Sequence, residues 1–344
     1  MVKKLIITKP GGYGRLVVEK TKIPKPQKNE VLIKVKAAGI NYADCIIRWG
    51  LYESAKKFVG YPITPGFEFS GVVEKVGPGV SKFQKGDQVF GVSLFGAQAS
   101  HVVVNERQVF NIPKEMTMEQ AAAFPAVYLT AYHALFQNVT TRPGMKVLIH
   151  SAAGGVGSAL TQLAKHLGLE VTGVVGSSHK VKEVKKLGAD FVIDKSKENL
   201  WTRAKEISPE GYDLIFDANG YTTLKQGLKH LRGTGKLMSY GFHSMFPKKG
   251  GLLNPFRLIY GYLQTPRFNP FDLSNQNKSI VCFNLSFLID RFDLLDEAMS
   301  DLIKFLEHKK INAPKVSTYS LEDARLAHQA LESGQTTGKL VLVI

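Results

Sequence analysis

The sequence predicts an α/β protein in which a doubly wound parallel sheet is joined to a second domain rich in short strands. Residues 1–125 carry strand-like segments separated by Gly and Pro, as in a β-barrel-like domain. From Met145 onward, short apolar strands alternate with helical segments, which favours a parallel sheet because parallel neighbours need a crossover. One strand, helix, strand unit of this region contains a glycine-rich turn, Ala152–Gly157.

Length and composition also bound the protein class. The chain has 344 residues, of which 44% are hydrophobic, and this length predicts two domains. Met1–Thr8 and Lys339–Ile344 both have the pattern of strands, so no targeting signal is expected, and no apolar window approaches the roughly 18 residues of a membrane-spanning helix. Cys45 and Cys282 lie too far apart in sequence for a disulfide scaffold or a CxxC metal pair, so we expect a cytoplasmic protein.

The chain is strongly basic. Its 45 lysines and arginines against 29 aspartates and glutamates give a formal charge of +16. An anionic cofactor, an anionic lipid surface or a nucleic acid could each account for this excess. The lysines are spread along the chain, however, and no aromatic-interleaved basic motif of the RNA-binding type is present. A basic solvated surface is the simpler interpretation, and no nucleic acid partner is expected.

In the first domain, apolar β-type segments predict these strands: Leu5–Thr8, Leu16–Lys20, Val31–Ala37, Gly71–Val76, Gln88–Ser93, His101–Val104 and Val109–Ile112. One face of a helix is predicted from four residues at helical spacing: Tyr42, Cys45, Ile46 and Trp49. Thr117 and Gln120 form a capping-box pattern that predicts a helix start.

In the second domain, the expected further strands are Phe191–Ile193, Leu214–Phe216, Lys236–Tyr240 and Lys278–Asn284. Helices are expected at Leu294–Leu306, from its amphipathic spacing, and at Ser320–Ser333, which Gly334 would end. The stretch Phe242–Gln276 departs from the alternation and is predicted to be a long loop or a set of short helices. Insertions of this kind usually serve as lids or interaction surfaces.

The turn Ala152–Gly157 is a G-x-G-x-x-G pattern with alanine at the first glycine position. Gly154 would let the backbone approach a pyrophosphate at the helix N-terminus, and Gly157 would permit close helix packing. Because a strand precedes the turn and a helix and strand follow it, the pattern indicates dinucleotide binding. A tight turn in a cofactor-free protein is the alternative.

The end of the second strand of this unit indicates which dinucleotide is bound. Proteins that bind NAD usually carry Asp or Glu there to bond the ribose 2′-hydroxyl. This chain has Gly176, followed by Ser177 and then Lys180. An acidic group would repel a 2′-phosphate, whereas hydroxyl groups and a lysine would accept one, so NADPH is the expected cofactor.

Motifs spread over the whole chain carry a family resemblance: Gly39–Asp44, Arg48–Tyr52, Pro65–Gly71, Lys85–Val89, Leu129–Tyr132, Ala153–Gly157, Leu187–Asp190 and Gly338–Val341. They resemble the medium-chain dehydrogenase/reductase superfamily, and specifically its zinc-independent quinone oxidoreductase branch. The resemblance implies a GroES-like catalytic domain at 1–125, a Rossmann NADPH-binding domain at 126–282, and a return segment at 283–344 that completes the first domain. Within the branch, Phe242–Gln276 and Phe283–Leu285 resemble the synaptic vesicle amine transport protein group.

The family comparison also predicts that no metal is bound. Zinc-dependent relatives carry ligands at three positions that are Asn41, Phe67 and Ala126 in this sequence. A catalytic zinc needs three N, S or O side-chain ligands and an open fourth position. Those three are missing, as is the family's four-cysteine structural lobe, so zinc-polarised alcohol oxidation is not expected.

The resemblance implies roles for individual residues. Asn41 and Tyr52 would be catalytic and face the reacting end of the ligand; the plainer alternatives are a helix cap for Asn41 and a packing role for Tyr52. The implied cofactor-binding residues are Thr130, Ala153, Gly154, Gly155, Val156, Gly157, Gly176, Ser177, Lys180, Lys195, Asn219, Gly241, Phe242, Phe283, Asn284 and Lys339. Lys195 replaces a tyrosine common in relatives and is either a second phosphate contact or a solvated side chain. No histidine is predicted to be a catalytic base.

The expected function is hydride transfer from NADPH to a quinone or another conjugated carbonyl compound, with Asn41 or Tyr52 bonding the developing oxyanion. A 2-alkenal or enoyl-thioester reductase is the nearest alternative. A second class is a membrane-surface or lipid-binding protein, which the basic charge and the apolar stretch Leu252–Leu263 would suit. Single-stranded RNA binding is a weaker third idea. The family default is a homodimer, to which the Lys278–Phe283 edge would contribute.

Overall fold

The structure is a computed structural model that describes residues 1–247 and 253–344. Its strands are β1 Val2–Ile7, β2 Leu16–Thr21, β3 Glu30–Ile40, β4 Glu68–Val76, β5 Gln88–Val92, β6 His101–Asn105, β7 Val109–Asn111, β8 Lys146–Ile149, β9 Glu170–Val175, β10 Phe191–Asp194, β11 Tyr212–Asp217, β12 Leu231–Ser239, β13 Ser279–Cys282, β14 Val316–Ser320 and β15 Lys339–Val343.

Its α-helices are α1 Tyr42–Arg48, α2 Glu53–Phe58, α3 Met118–Ala122, α4 Pro125–Tyr132, α5 Gly155–His166, α6 Val181–Lys186, α7 Leu200–Ile207, α8 Leu224–His230, α9 Pro255–Gln264, α10 Pro270–Asn275, α11 Phe292–Glu307 and α12 Ala324–Glu332. A single π-helical turn, His133–Gln137, directly follows α4. Among the described residues, no helix has both the length and the apolar character needed to cross a bilayer.

The described chain divides into two compact units. The first unit comprises Met1–Leu129 and Leu285–Ile344, and the second comprises Thr130–Pro247 and Leu253–Asn284. Each unit therefore has its own sheet and its own core.

The second unit is built on a six-stranded parallel sheet. Its strand order is β10-β9-β8-β11-β12-β13, and every neighbouring pair is parallel. This order starts from the middle strand β8 and reverses direction between β8 and β11. In such sheets, ligands bind outside the carboxyl ends of the strands at the reversal point. The predicted doubly wound sheet is thus confirmed.

The core of the second unit follows from the strand composition. Leu148, Ile215 and Leu237 are fully buried members of one apolar cluster. Helix α5 adds Leu160 and Leu163, both fully buried, which matches the helical spacing in the sequence. Burial of such a side chain contributes about 1.5–3 kcal/mol, so this packing is what holds α5 against the strands.

The first unit carries a seven-stranded mixed sheet. Its order is β14-β15-β3-β4-β5-β7, with β6 paired to β3, and β1 and β2 form a separate antiparallel pair. Strand β15, from the end of the chain, is antiparallel to β3, and Leu340 lies opposite Ile40. This register brings Lys339 beside Asn41, the residue that follows β3.

Several local predictions needed correction. On α1, Tyr42 and Ile46 are only half-buried, while Asp44, Ile47 and Arg48 are buried. The buried face of α1 therefore differs from the predicted apolar face and includes two charged residues. Charged side chains can be buried in this way only when ion pairs and hydrogen bonds satisfy them. Helix α12 begins at Ala324, later than the predicted Ser320, because Ser320 ends strand β14.

The irregular stretch after β12 contains short helices, as one of the two predictions stated. Helices α9 and α10 each start with Pro, and the side chains of Asn254 and Asn269 cap them. Asn-Pro was a readable start signal, because Pro is well placed in the first turn and Asn accepts from a free backbone N–H. Residues 248–252, which include the start of the predicted apolar stretch Leu252–Leu263, lie outside the described residues.

Candidate active site

The carboxyl end of β8 leads into an open helix N-terminus. Helix α5 has Gly154 as its N-cap, and no side chain caps it. The free N–H groups of a helix's first turn and its positive end attract an anion such as a pyrophosphate. A Cβ at Gly157 would lie 2.7 Å from Cα of Ala152, so only glycine lets α5 approach the turn this closely.

Two lysines come together at the end of β9. Lys180 is buried at 8% exposure, and its pKa is lowered by burial and by the charge of Lys195. A Cβ placed on Gly176 would lie 3.5 Å from Cε of Lys195, so the lysine stem covers the position where NAD-binding proteins carry an acid. Two lysines whose charges act on each other favour binding of an anion between them.

The loop that carries Lys180 is tied to the end of β10. Asp194 accepts hydrogen bonds from Ser178 Oγ at 2.5 Å and from Ser196 Oγ at 2.6 Å. These bonds lower the pKa of Asp194, so it is an ionised carboxylate at neutral pH. Asp194 was not among the predicted site residues, although its position next to Lys195 at a strand end was a signal for it.

The carboxyl ends of β8, β11 and β12 carry buried polar groups without a hydrogen-bond partner. They are the side-chain atoms His150 Nδ1 and Nε2, Asp217 Oδ2, Asn219 Nδ2 and Ser239 Oγ. Buried polar groups are normally satisfied, so such a cluster at strand ends indicates that a ligand or water completes it. Asn219 is one of the predicted cofactor residues; His150, Asp217 and Ser239 are not.

Asp217 shapes the loop that presents Asn219. Its Oδ1 accepts the backbone N–H groups of Asn219 at 2.7 Å and Gly220 at 2.8 Å. Burial lowers the pKa of His150, although the nearby Asp217 charge opposes this, and burial lowers the pKa of His243 to about 4. Both histidines are therefore neutral at pH 7.

The remaining predicted residues of the second unit differ in exposure. Thr130 and Gly241 are half-buried, and Phe242 and Asn284 are exposed. Phe283 packs edge-on against His133, with ring centroids 4.8 Å apart. Of the predicted site residues, Asn41, Tyr52 and Lys339 belong to the first unit, and all others belong to the second.

In the first unit, Asn41 belongs to a buried ion-pair cluster. Lys339 Nζ lies 2.6 Å from Glu68 Oε1 and donates to Asn41 Oδ1 at 2.7 Å. Asn41 Nδ2 donates to Glu68 Oε1 at 2.9 Å, while the backbone N–H of Ala126 donates to Glu68 Oε2 at 2.8 Å. Asn41 is also the N-cap of α1 and takes part in a capping box with Asp44, so the helix-cap alternative describes part of its role. Glu68 was not among the predicted site residues, although it lies within the family motif Pro65–Gly71.

Asp44 holds the backbone below Asn41. Its carboxylate accepts from the backbone N–H groups of Asn41 at 2.8 Å and Gly66 at 3.0 Å, and from Gln98 Nε2 at 3.2 Å. Burial raises the pKa of Asp44 to about 7, and the Asn41 N–H, the Lys339 charge and the Gly66 N–H act in the opposite direction. Asp44 is therefore a proton-sensitive support for the cluster.

Tyr52 is half-buried and precedes α2. Its ring packs edge-on against Phe67 and Phe95, with centroids 5.8 and 6.5 Å away. The ring of Tyr52 therefore has the packing role that was the plainer alternative. Its catalytic role stays a prediction.

The residues at the family's zinc-ligand positions do not fit zinc. Asn41 and Ala126 both bond to Glu68, Ala126 through its backbone, and Phe67 offers no ligand atom. The ammonium of Lys339 supplies the positive charge of this cluster.

A second group of metal-binding residue types lies elsewhere in the first unit. The ligand atoms of Cys45, His328 and Glu332 lie within 4.8 Å of one another. Glu332, however, is already ion-paired with the buried Arg48 and accepts from Tyr13 at 2.5 Å. Burial raises the pKa of the Cys45 thiol, whereas a metal would need the thiolate. The group therefore fits a structural ion pair better than a divalent cation.

Comparison with known proteins extends over the whole chain. Residues 27–114 match the family model of the alcohol dehydrogenase GroES-like domain, and residues 155–283 match that of the zinc-binding dehydrogenase. The synaptic vesicle membrane protein VAT-1 homolog of Danio rerio is 34% identical over 342 residues, covering 99% of this chain and 69% of the relative.

Two further proteins are similar over nearly their full length. The 2-haloacrylate reductase of a Burkholderia species is 29% identical over 355 residues, covering 100% of this chain and 99% of the relative. The crystal structure of Escherichia coli quinone oxidoreductase complexed with NADPH superposes with a TM-score of 0.84 at 29% identity, covering 99% of this chain and 100% of that one.

Proposed function

This chain belongs to the zinc-independent quinone oxidoreductase branch of the medium-chain dehydrogenase/reductase superfamily, in its VAT-1-like subgroup, and we propose that it is an NADPH-dependent reductase of conjugated carbonyl compounds. The observation that carries the proposal is the pair of lysines at the end of β9, where an acid would select NAD. The similar Escherichia coli enzyme was solved with NADPH, which supports the same cofactor here.

The residues of the second unit fit the parts of NADPH. The uncapped N-terminus of α5 suits the pyrophosphate, and Lys180 and Lys195 suit the 2′-phosphate. Asn219 Nδ2, buried and without a partner, offers a donor near the strand ends. These groups bind and orient the cofactor, while the hydride itself comes from the nicotinamide.

In the first unit, we propose that Asn41 and Tyr52 act on the acceptor. Hydride addition to a conjugated carbonyl compound places negative charge on its oxygen, and a proton from solvent completes the two-electron reduction. An amide N–H or a phenol O–H can stabilise that oxygen as it becomes charged. The acceptor class extends to electron-poor alkenes, because a similar protein is a 2-haloacrylate reductase. A quinone, an enone and an enoyl thioester are the candidates that a turnover panel separates.

Fluorescence titration with NADPH tests cofactor binding. We expect binding in the micromolar range for the wild-type chain and a large loss for Gly154→Asp, because the new carboxylate faces the pyrophosphate site. Gly233→Asp is the matched control: Gly233 is exposed, and a Cβ there meets no other atom within 4 Å. Absence of binding at tens of micromolar, or identical behaviour of all three proteins, contradicts the proposal.

A second candidate function rests on an exposed apolar surface in the second unit. It consists of large hydrophobic side chains on α9 and α10: Phe256, Ile259, Tyr260, Tyr262, Leu263 and Phe271. With the basic charge of the chain, this surface suits the interface of an anionic membrane. Flotation with phosphatidylserine vesicles tests it, with Phe256→Ser/Leu263→Ser as the variant. If the protein is a reductase without affinity for membranes, neither the wild-type chain nor the variant will float with the vesicles.

The state and location of the protein are further proposals. We propose a homodimer, because β13 is an edge strand of the parallel sheet among the described residues, and an edge strand can pair with a second chain. Light scattering that gives a monomer mass contradicts this. A cytoplasmic setting fits the free and exposed Cys282, and fractionation of cells tests it.

A further inference from the structure

The ion pair between Lys339 and Glu68 is almost completely buried. The two side chains are 5% and 0% exposed, and the charged atoms lie 2.6 Å apart. A buried ion pair usually adds little stability over apolar residues, since desolvation offsets most of the attraction. A role in holding a neighbouring side chain in place therefore explains this ion pair better than a contribution to stability does.

All hydrogen-bond donors of Lys339 are used within the first unit. An ammonium has three N–H groups and no acceptor. In the structure they bond to Glu68 Oε1, Asn41 Oδ1 at 2.7 Å and the Ile40 carbonyl at 2.8 Å. No donor remains for a cofactor, so the direct cofactor contact that the family resemblance implied for Lys339 has no donor in this structure.

The same bonds determine the orientation of the Asn41 amide. Lys339 can only donate, so the amide atom facing it must be the oxygen; Glu68 accepts from Nδ2 at 2.9 Å. The amide is thus held at both ends and cannot flip without losing two charged partners. One Nδ2–H remains, and Asn41 is half-buried rather than fully enclosed.

We propose that Lys339 and Glu68 form a positioning pair that locks the Asn41 amide and so presents its second Nδ2–H to the carbonyl oxygen of the acceptor. This inference rests on the proposed reductase function. The ammonium on Oδ1 also draws electron density from the amide, which makes the free N–H a stronger donor. A fixed donor that needs no reorganisation is what stabilises a developing oxyanion.

Kinetics of Lys339→Met and Asn41→Ala test the pair. We expect each to lower kcat on the order of 10- to 100-fold while the Kd for NADPH stays within about twofold, because only a transition-state bond is lost. The double variant should be no slower than Asn41→Ala alone, since both changes remove one interaction. A fall in NADPH affinity, or additive losses in the double variant, overturns the proposal.

Controls separate positioning from stability. Lys3→Met removes an exposed ion pair of the same unit, with Glu322 at 2.9 Å, and should leave both kcat and NADPH affinity unchanged. Should Lys339→Met fold poorly, the charge-neutral Lys339→Met/Glu68→Gln variant replaces it, and the same kinetic pattern is expected. Normal kcat in a folded variant of either kind overturns the proposal.

An NMR measurement keeps the test independent of turnover. With ¹⁵N-asparagine labelling, the Asn41 side-chain amide should give two well-separated proton signals, identified by their loss in Asn41→Asp. We expect these signals to move toward the positions of a free amide in Lys339→Met, and unchanged signals overturn the proposal. If the wild-type chain reduces no acceptor, the proposed function fails while this measurement still decides whether the amide is locked.

Discussion

Changing the lysines at the end of β9 tests the proposed 2′-phosphate site apart from the rest of the cofactor site. The variants are Lys195→Ala and Lys180→Met. Both lysines belong to the loops that follow β9 and β10 and not to the Ala152–Gly157 turn, so we expect binding of the pyrophosphate to be unaffected. NADH, which lacks the 2′-phosphate, therefore serves as an internal control.

The expected size of the effect follows from exposure. Opposite unit charges about 4 Å apart attract by about 1 kcal/mol in water and about 4 kcal/mol at the effective dielectric of a protein surface. Lys195 is exposed, so its loss should cost about 1 kcal/mol, or roughly fivefold in Kd. Lys180 is buried, so its loss should cost about 2 kcal/mol, or roughly 30-fold.

Fluorescence titrations with NADPH and NADH measure both Kd values, and Lys182→Ala, an exposed lysine on α6, is the matched control. We expect the NADPH affinity of the two test variants to fall and the NADH affinity to stay constant. Gly176→Asp should go further and favour NADH, since a Cβ there meets Lys195 Cε only at 3.5 Å and the carboxylate would repel the phosphate. Equal losses for both nucleotides, or none, would refute the assignment of this site.

Three other predictions concern the framework of the site. Gly157→Val should lower the urea midpoint of unfolding and abolish NADPH binding. The new Cβ would lie 2.7 Å from Cα of Ala152, and such overpacking costs about 1–3 kcal/mol. Unchanged NADPH binding would contradict the packing argument. Arg48→Met should cost about 3–5 kcal/mol in the free energy of unfolding, since it leaves Glu332 charged and buried, whereas Lys3→Met should cost less than about 1 kcal/mol. The folded-state pKa of Asp44 is raised to about 7, so the folded protein binds this proton more tightly than the unfolded chain does, and the free energy of unfolding should fall as pH rises from about 4 to 7. The stability of Asp44→Asn should depend less on pH over this range. Unfolding midpoints of the wild-type chain and the variant that change in parallel from pH 5 to 7.5 would argue against a raised pKa.

The parallel sheet could be predicted because its signals are local. Each strand from β8 to β12 is a short apolar run followed by a helical segment, and the turn Ala152–Gly157 has a fixed spacing. β14 was missed because its residues, Val316–Ser320, have little apolar character. It is a strand only because β15 offers it a parallel partner.

The buried ion pairs could not be predicted from spacing. Glu68 and Lys339 are far apart in sequence and meet because β15 pairs with β3 in a register that sets Leu340 opposite Ile40. Arg48 and Glu332 likewise meet across α1 and α12. The identity of Asn41 as a site residue came from the family resemblance, while the reason for its orientation needed coordinates. The same holds for Asp217, whose role is to bond the loop that carries Asn219.

Isotope transfer from NADPH tests the central claim most directly. The chain is incubated with NADPH deuterated at either C4 position and with a conjugated enone, and the reduced product is examined by mass spectrometry and NMR. The proposed function predicts that one of the two labelled cofactors passes its deuterium to the β-carbon of the enone and that Asn41→Ala slows this transfer. NADPH that remains unoxidised across enones, quinones and haloacrylate, or a product that carries only solvent hydrogen at that carbon, would contradict it.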